Sequence, residues 1–417
     1  VTIFEQVEKK EDTTMSRKIL VLALVCACGL ATTASAGLVG HWKLDDGAGD
    51  TAADATGNGH DGTLLNGPEW VDGYIDGALK FAGSPQKVDV PYSADLNPED
   101  EFTASVWANV DSTGSGHRSP ITSRDDYPQR GYIIYVEPGN TWQYWIGVGS
   151  GWNNTPGPPV QMEEWTYVVA TYADGQKKFY INGELVGEGA GTISPNTQQV
   201  LRIGGGATEG DGNYFFVGMV DDVRVYDHAQ SEAEIQAAMA GEPYPYAVAP
   251  KPKVGTMIEA KQAMLQWSPG ELAVSHDVYF GTDADAVANA TPDDADVFLG
   301  STTDTSMMVG VPEPLVPGKT YYWRVDAVND ENPDSPWKSD VWSFWVQPEI
   351  AWDPSPEDGV PFVGPDQILT WNAGTGALFH TVYFGESFDE VNDAVAGGWM
   401  TSEATHDPSP LELDKTY

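Results

Sequence analysis

The chain has 417 residues, with 62 Asp and Glu against 21 Lys and Arg and a formal net charge of -41. A surface this acidic repels phosphate backbones and anionic lipid, which argues against nucleic acid as a partner and leaves divalent cations and neutral sugars compatible. The length suits about two to four domains. With 15 Trp and 18 Tyr beside 45 Gly and 29 Pro, short strands joined by turns are favoured over long helices, so the fold class is all-β.

Residues 1–14 precede Met15, carry no targeting character and are read as an upstream extension that is not translated. Residues 15–36 follow the pattern of a signal peptide: Arg17-Lys18, an apolar run from Ile19 to Val25, and Ala34-Ser35-Ala36 as the cleavage site. Cleavage after Ala36 makes the protein secreted, extracellular or held at the cell surface. The apolar run is shorter than the roughly 20 residues of a membrane span. Both cysteines, Cys26 and Cys28, fall inside this segment, so the exported part has no disulfide. Val25-Cys26-Ala27-Cys28 keeps lipidation open as an alternative.

From 37 to 241 strand-like runs recur between turn signals, at Val39–Leu44, Ala78–Phe81, Phe102–Ala108, Gly131–Val136, Trp142–Val148, Trp165–Tyr172, Lys178–Ile181 and Val220–Tyr226. So many strands in one module predict a two-sheet sandwich. Asn182-Gly183 marks a tight hairpin. Ser231-Glu232-Ala233-Glu234 is a capping box, opening the one helix that the sequence marks clearly.

Alternation around Trp142 puts Trp142, Tyr144, Ile146 and Val148 on the core face and Gln143 and Trp145 on the other. Flat rings and fixed donors are what a sugar site combines, which makes Arg124, Arg130, Tyr132, Trp145 and Trp152 candidate ligand-binding residues; plain packing is the alternative for the two Trp. Glycosidases of sandwich fold need two facing carboxylates about 5–5.5 Å apart. Glu99-Asp100-Glu101 follows a Pro in a loop, and the pleat sends Asp221 and Asp222 to opposite faces, so no catalytic residue is assigned. Asp54 to Gly59 opens like an EF-hand loop, but Leu65 stands where its closing Glu is needed, and that reading is rejected.

The runs Trp165–Tyr172, Tyr180-Ile181-Asn182-Gly183 and Phe216–Tyr226, with Trp42–Gly47 and Asp54–Gly62 before them, resemble the laminin-G-like (concanavalin A-like) jelly roll of secreted bacterial proteins. That resemblance implies a jelly-roll β-sandwich over 37–241 and one Ca2+ ion held by Asp45, Asp54 and Asp221 with carbonyls of the turn Gly57–Gly59. Calcium takes six to eight hard oxygens, which such groups supply. The alternative is that these Asp residues shape turns and face water.

Residues 242–253 read as a Pro-rich linker, and an internal repeat follows. Leu265-Gln266-Trp267 and Val278–Gly281 recur 104 positions later at Leu369-Thr370-Trp371 and Val382–Gly385, whereas Lys319-Thr320-Tyr321 recurs 96 later at Lys415-Thr416-Tyr417. Leu315–Asn329 resembles the late strands of a fibronectin type III (immunoglobulin-like) module, with Trp267 as the early core Trp and Tyr321 as a corner tyrosine bonding back to the chain. The expectation is one such module at 254–347 and an incomplete one at 348–417, in a fragment of a longer protein.

The function read from this is a secreted, non-catalytic binding or adhesion protein. Its jelly roll would hold an extracellular glycan or cell-surface protein, and its repeats would act as spacers. The alternatives are an accessory part of a larger exported polysaccharide-degrading enzyme and a structural surface component.

Overall fold

Side-chain alternation is obeyed in the strand Thr141–Gly147, where Trp142, Tyr144 and Ile146 enter the core while Trp145 stays half-buried on the other face. This strand belongs to a computed structural model that describes residues 37–206 and 214–417. The expected signal and upstream extension lie outside the described residues. The chain divides into two compact units between Glu242 and Pro243.

The first unit is a jelly-roll sandwich of two eight-stranded sheets. The first sheet runs Glu184–Ala190, Gln176–Ile181, Trp165–Ala173, Glu101–Val110, Val217–Tyr226, Gly77–Ala82, Glu69–Asp72, with Leu38–Trp42 also paired to Val217–Tyr226. The second runs Trp152–Pro159, Thr141–Gly147, Gln129–Val136, Arg118–Asp126, Leu201–Ile203, Lys87–Val90, Gly62–Leu65, Thr51–Ala52. Their inner faces meet in one core that includes Trp42, Phe81, Phe102, Tyr132, Trp142 and Phe179. Asn182 and Gly183 both take positive φ, 50° and 79°, as the tight hairpin turn between Gln176–Ile181 and Glu184–Ala190 requires. On the outer face of the first sheet the helix Glu232–Met239 buries Ile235 and Ala238 against Trp107, Tyr167, Val169 and Tyr180. Its capping box is made by Ser231 and Glu234.

The opposite-face reading of Asp221 and Asp222 is corrected. The strand slips register between Asp221 and Arg224, and Asp222 has φ 45°, so a bulge breaks the pleat. Val220 and Val223 both remain in the core, and both Asp side chains bond to groups outside it. Asp222 accepts from His41 Nε2 at 2.6 Å and Arg224 Nε at 3.0 Å, and is consumed by them.

In the second unit, part of the predicted linker is a strand: Val248–Lys251 pairs with Ala263–Ser268. Pro250 is tolerated because this strand is at a sheet edge, where no ladder donor is required of it. A three-stranded and a six-stranded sheet enclose Leu265, Trp267, Val278, Trp323, Val325 and Phe344. The sequence had marked one helix clearly; two further short ones, Ala284–Asn289 and Phe388–Asn392, are N-capped by Asp283 and Ser387. Six and five residues are too few for a legible apolar period.

The repeat recurs in three matched contacts. Tyr321 OH accepts from Val316 N and Tyr417 OH from Glu412 N, each at 2.8 Å. Phe280 stacks on Tyr321 with centroids 5.1 Å apart, and Phe384 on Tyr417 at 5.0 Å. Trp267 meets His276 edge-on at 5.4 Å, and Trp371 meets His380 at 5.3 Å. Leu265, Trp267 and Val278 are buried while Leu369, Trp371 and Val382 are only half-buried. The first copy is covered by Thr320–Val328 and Trp342–Val346, which pair with each other.

Candidate functional site

Across the second sheet of the jelly roll, Thr122, Ile133, Trp145 and Asn154 stand in register on four neighbouring strands. Ile121, Ile134 and Tyr144 point into the core, so this row faces outward, as do Arg124, Tyr135 and Gln143 two positions away along their strands. The outer face is built of rings. Tyr135 lies edge-on to Trp145 at 5.6 Å, and His117 is edge-on to Tyr135 and Tyr214, both at 5.4 Å. Trp145, Trp152, His117 and Tyr214 are half-buried, which leaves part of each ring open to solvent.

Arg124 holds these rings together. Its guanidinium carbon sits 5.5 Å from the Trp152 ring centre and 5.1 Å from that of Tyr214. Its terminal nitrogens donate to the Tyr135 hydroxyl and to the Asp126 carboxylate. Glycines permit the close backbone packing here: Gly131 stands opposite Arg124 and Gly147 opposite Trp152. A Cβ on Gly131 would come within 1.9 Å of the Ser123 carbonyl oxygen, and one on Gly147 within 2.4 Å of the Arg130 nitrogen.

Gln143, almost fully buried, fixes the polar end of the site. Its Oε1 accepts from Trp145 Nε1 at 3.3 Å and from Asn154 Nδ2 at 3.2 Å. The indole is thereby held in one orientation, and exposed Asn154 keeps its carbonyl oxygen for another donor. Burial lowers the pKa of His117, Glu137 opposes this, and Arg124 lowers it further. The arrangement offers ring faces for stacking and amide groups for hydroxyls.

Of the residues picked from sequence, Arg124, Trp145 and Trp152 share this site. Tyr132 does not: it is in the core, 1% exposed, with its hydroxyl donating to the Leu96 carbonyl at 3.1 Å. It has the parity of Ile134, which turns it inward. Arg130 is at the rim, reaching Thr197 Oγ1 at 2.9 Å. The sequence reading missed His117, Tyr135, Gln143, Asn154 and Tyr214. Tyr135 and Gln143 could have been found by extending the Trp145 alternation to the neighbouring strand; His117 and Tyr214 lie outside the strands and arrive only through the fold.

Asp45, Asp54 and Asp221 are not gathered into one cluster. Asp54 is surrounded by donors, with Oδ1 accepting from His41 N and Thr56 N at 3.1 Å and Oδ2 from His60 N at 3.0 Å. Burial alone would raise its pKa, but these bonds hold it below the ordinary value. Asp45 Oδ1 accepts from Gly77 N at 2.7 Å, and Asp221 Oδ2 from Tyr74 N and Ile75 N at 2.8 Å, so these two brace a different turn. Of these three carboxyl groups, only that of Asp221 has an oxygen, Oδ1, buried without a partner, and burial, with Asp222 and Asp45 nearby, pushes its pKa up to about 7. Among the described residues no three His, Cys, Asp or Glu converge as metal ligands. Three carboxylates so placed do not fit one calcium ion.

Residues 82–236 match the family model described as the concanavalin A-like lectin/glucanases superfamily. The jelly roll has a lectin/glucanase-like fold. Domain 4 of an extracellular arabinanase from Geobacillus stearothermophilus, solved with arabinotriose, is similar at 19% identity and TM-score 0.40, over 49% of this chain and 99% of that one. A Trypanosoma rangeli sialidase is similar at 18% identity and TM-score 0.40, over 49% of this chain and 33% of its own. The binding domain of Paraclostridial Mosquitocidal Protein 1 is similar at 13% identity and TM-score 0.41, over 81% of this chain and 75% of its own. No curated protein matches. Among the described residues no helix is long and apolar enough to cross a membrane.

Proposed function

We propose that the jelly roll of residues 37–241 is a non-catalytic carbohydrate-binding module of a secreted protein, held out by fibronectin III-like spacers. The observation that carries this reading is the ring cluster on the outer face of the second sheet, where half-open Trp145 and Trp152 flank a locked guanidinium and an amide pair. Sugars present apolar C–H faces and hydroxyl edges, and stacking on a fixed indole with hydrogen bonds at its margin recognises both. A non-catalytic role is supported by Asp222 being consumed by His41 and Arg224, which leaves the Asp221–Asp222 pair without two free carboxylates.

The test is retention of the full chain on a panel of immobilised polysaccharides. Trp145→Ala and Trp152→Ala should each weaken retention about tenfold, since one well-placed aromatic contact supplies about 1–1.5 kcal/mol. Both variants should still unfold cooperatively, because each ring is half-open and outside the core. Absence of retention on every glycan, or Trp variants that bind as well as the parent, would remove the proposal.

A further inference from the structure

An acidic sugar is recognised through an unspent guanidinium, whose paired N–H groups match a carboxylate or sulfate in two-point fashion. Among the described residues the ring cluster holds one guanidinium, that of Arg124, and it is spent within the protein. One terminal nitrogen donates to the Tyr135 hydroxyl and the other to Asp126, while its flat surfaces lie against Trp152 and Tyr214. On the adjacent strand Arg202 is paired with Asp89, its Nε 2.7 Å and Nη2 3.3 Å from the two carboxylate oxygens. Lys87, one strand further, shares Asp89 at 3.6 Å. Among the described residues, Glu137, which accepts from Thr141 Oγ1, is a further acidic group on this face, and at the rim Asp125 accepts from Gln198 Nε2 while Arg130 donates to Thr197 Oγ1. Around the rings, positive charge is balanced or outweighed.

We infer, resting on the carbohydrate-binding reading above, that this face selects uncharged glycans and that Asp126 sets the selection by occupying Arg124. Arg124 is then a strut that fixes the spacing of Trp152, Tyr135 and Tyr214, not a reader of ligand charge. The carbonyl of Asn154 and the ring faces make the ligand contacts, and none of these calls for a charged partner.

Titration calorimetry of the full chain decides it, with xylohexaose, cellohexaose and mannohexaose as neutral probes and hexagalacturonate and sialyllactose as acidic ones, each at low and at physiological salt. At least one neutral oligosaccharide should bind, with an affinity that changes less than about twofold with salt, because no ion pair forms. The acidic probes should bind at least about tenfold more weakly. Asp126→Asn should narrow that gap severalfold by freeing one edge of Arg124, and Asp126→Glu should keep the parent preference, with the thermal unfolding of both variants confirming an intact fold. Acidic probes bound as tightly as neutral ones, or an Asp126→Asn variant with unchanged preference, would overturn the selection while leaving carbohydrate binding in place. Failure of every probe would overturn both.

Discussion

Arg324→Ala is expected to lower the unfolding free energy of the second unit by about 3–5 kcal/mol, the range for breaking a buried ion pair by removing one partner. Arg324 is 1% exposed and its guanidinium is fully committed. Nε and Nη2 hold the two oxygens of Asp326 at 2.7 and 3.0 Å, while Nη1 donates to the Val287 carbonyl at 2.7 Å and Nη2 to that of Ala290 at 2.9 Å. These carbonyls close the helix Ala284–Asn289, whose last turn has no partner of its own for them. The Tyr279 ring lies 4.2 Å beneath the guanidinium. Truncation strands both the carbonyls and a buried Asp326, whose pKa burial already raises. Arg324→Lys should restore little, since one ammonium cannot replace a planar fork. Hydrogen exchange of the amides in Thr320–Val328 under increasing urea reports on this unit alone. Parent-like protection in Arg324→Ala would refute the assignment.

Acidification should destabilise the second unit through His276. This imidazole is 3% exposed, and neither ring nitrogen has a hydrogen bond of good geometry. Burial depresses its pKa to about 4, and the backbone at Asp304 and Thr302 and the Asp277 carboxylate oppose that without offsetting it. The unfolded chain takes up the proton near pH 6.5 and the folded one does not until about 4. Stability is therefore complete above pH 6.5, falls as the pH drops toward 4 by about 3 kcal/mol, and levels below. His228 in the jelly roll carries the opposite sign. Burial would lower its pKa, but Asp227 and Glu234 outweigh it and raise it to about 9, so its contribution is complete below 6.5 and is lost as pH rises toward 9. Exchange protection followed unit by unit against pH should show the second unit weakening toward acid and His228 eroding the first toward alkali. His276→Phe should flatten the acid slope, and His228→Gln the alkaline one. An acid slope that survives His276→Phe would assign it elsewhere.

The strands with a strict apolar alternation, such as Trp142 to Ile146, were legible because a pleated strand repeats every two residues. Arg118–Asp126 and Trp152–Pro159 were not. The first has Ile121 as its one core hydrophobic among mostly polar residues, and the second carries Pro156, Pro158 and Pro159, which only an edge position accommodates. Both carry residues of the ring cluster, so Arg124 and Trp152 were picked as residue types without the elements that present them. Tyr132 was misassigned because a ring on a strand has equal claim to either face until parity is anchored by a neighbour. The Asp221–Asp222 pair was misread because one residue with positive φ shifts the pleat, and nothing in the local composition marks a bulge at an Asp.

Sequence alone determined the all-β class, the capping box at Ser231, the hairpin at Asn182-Gly183 and the 104-residue repeat, since each rests on interactions between residues close in the chain or on copying of a segment. Tertiary structure decided which rings are core and which are surface, that Asp45, Asp54 and Asp221 brace two separate turns, and that Arg124 is already paired. Those outcomes depend on which strands become neighbours and on which groups then compete for the same lone pairs and N–H bonds, and no local pattern encodes that competition.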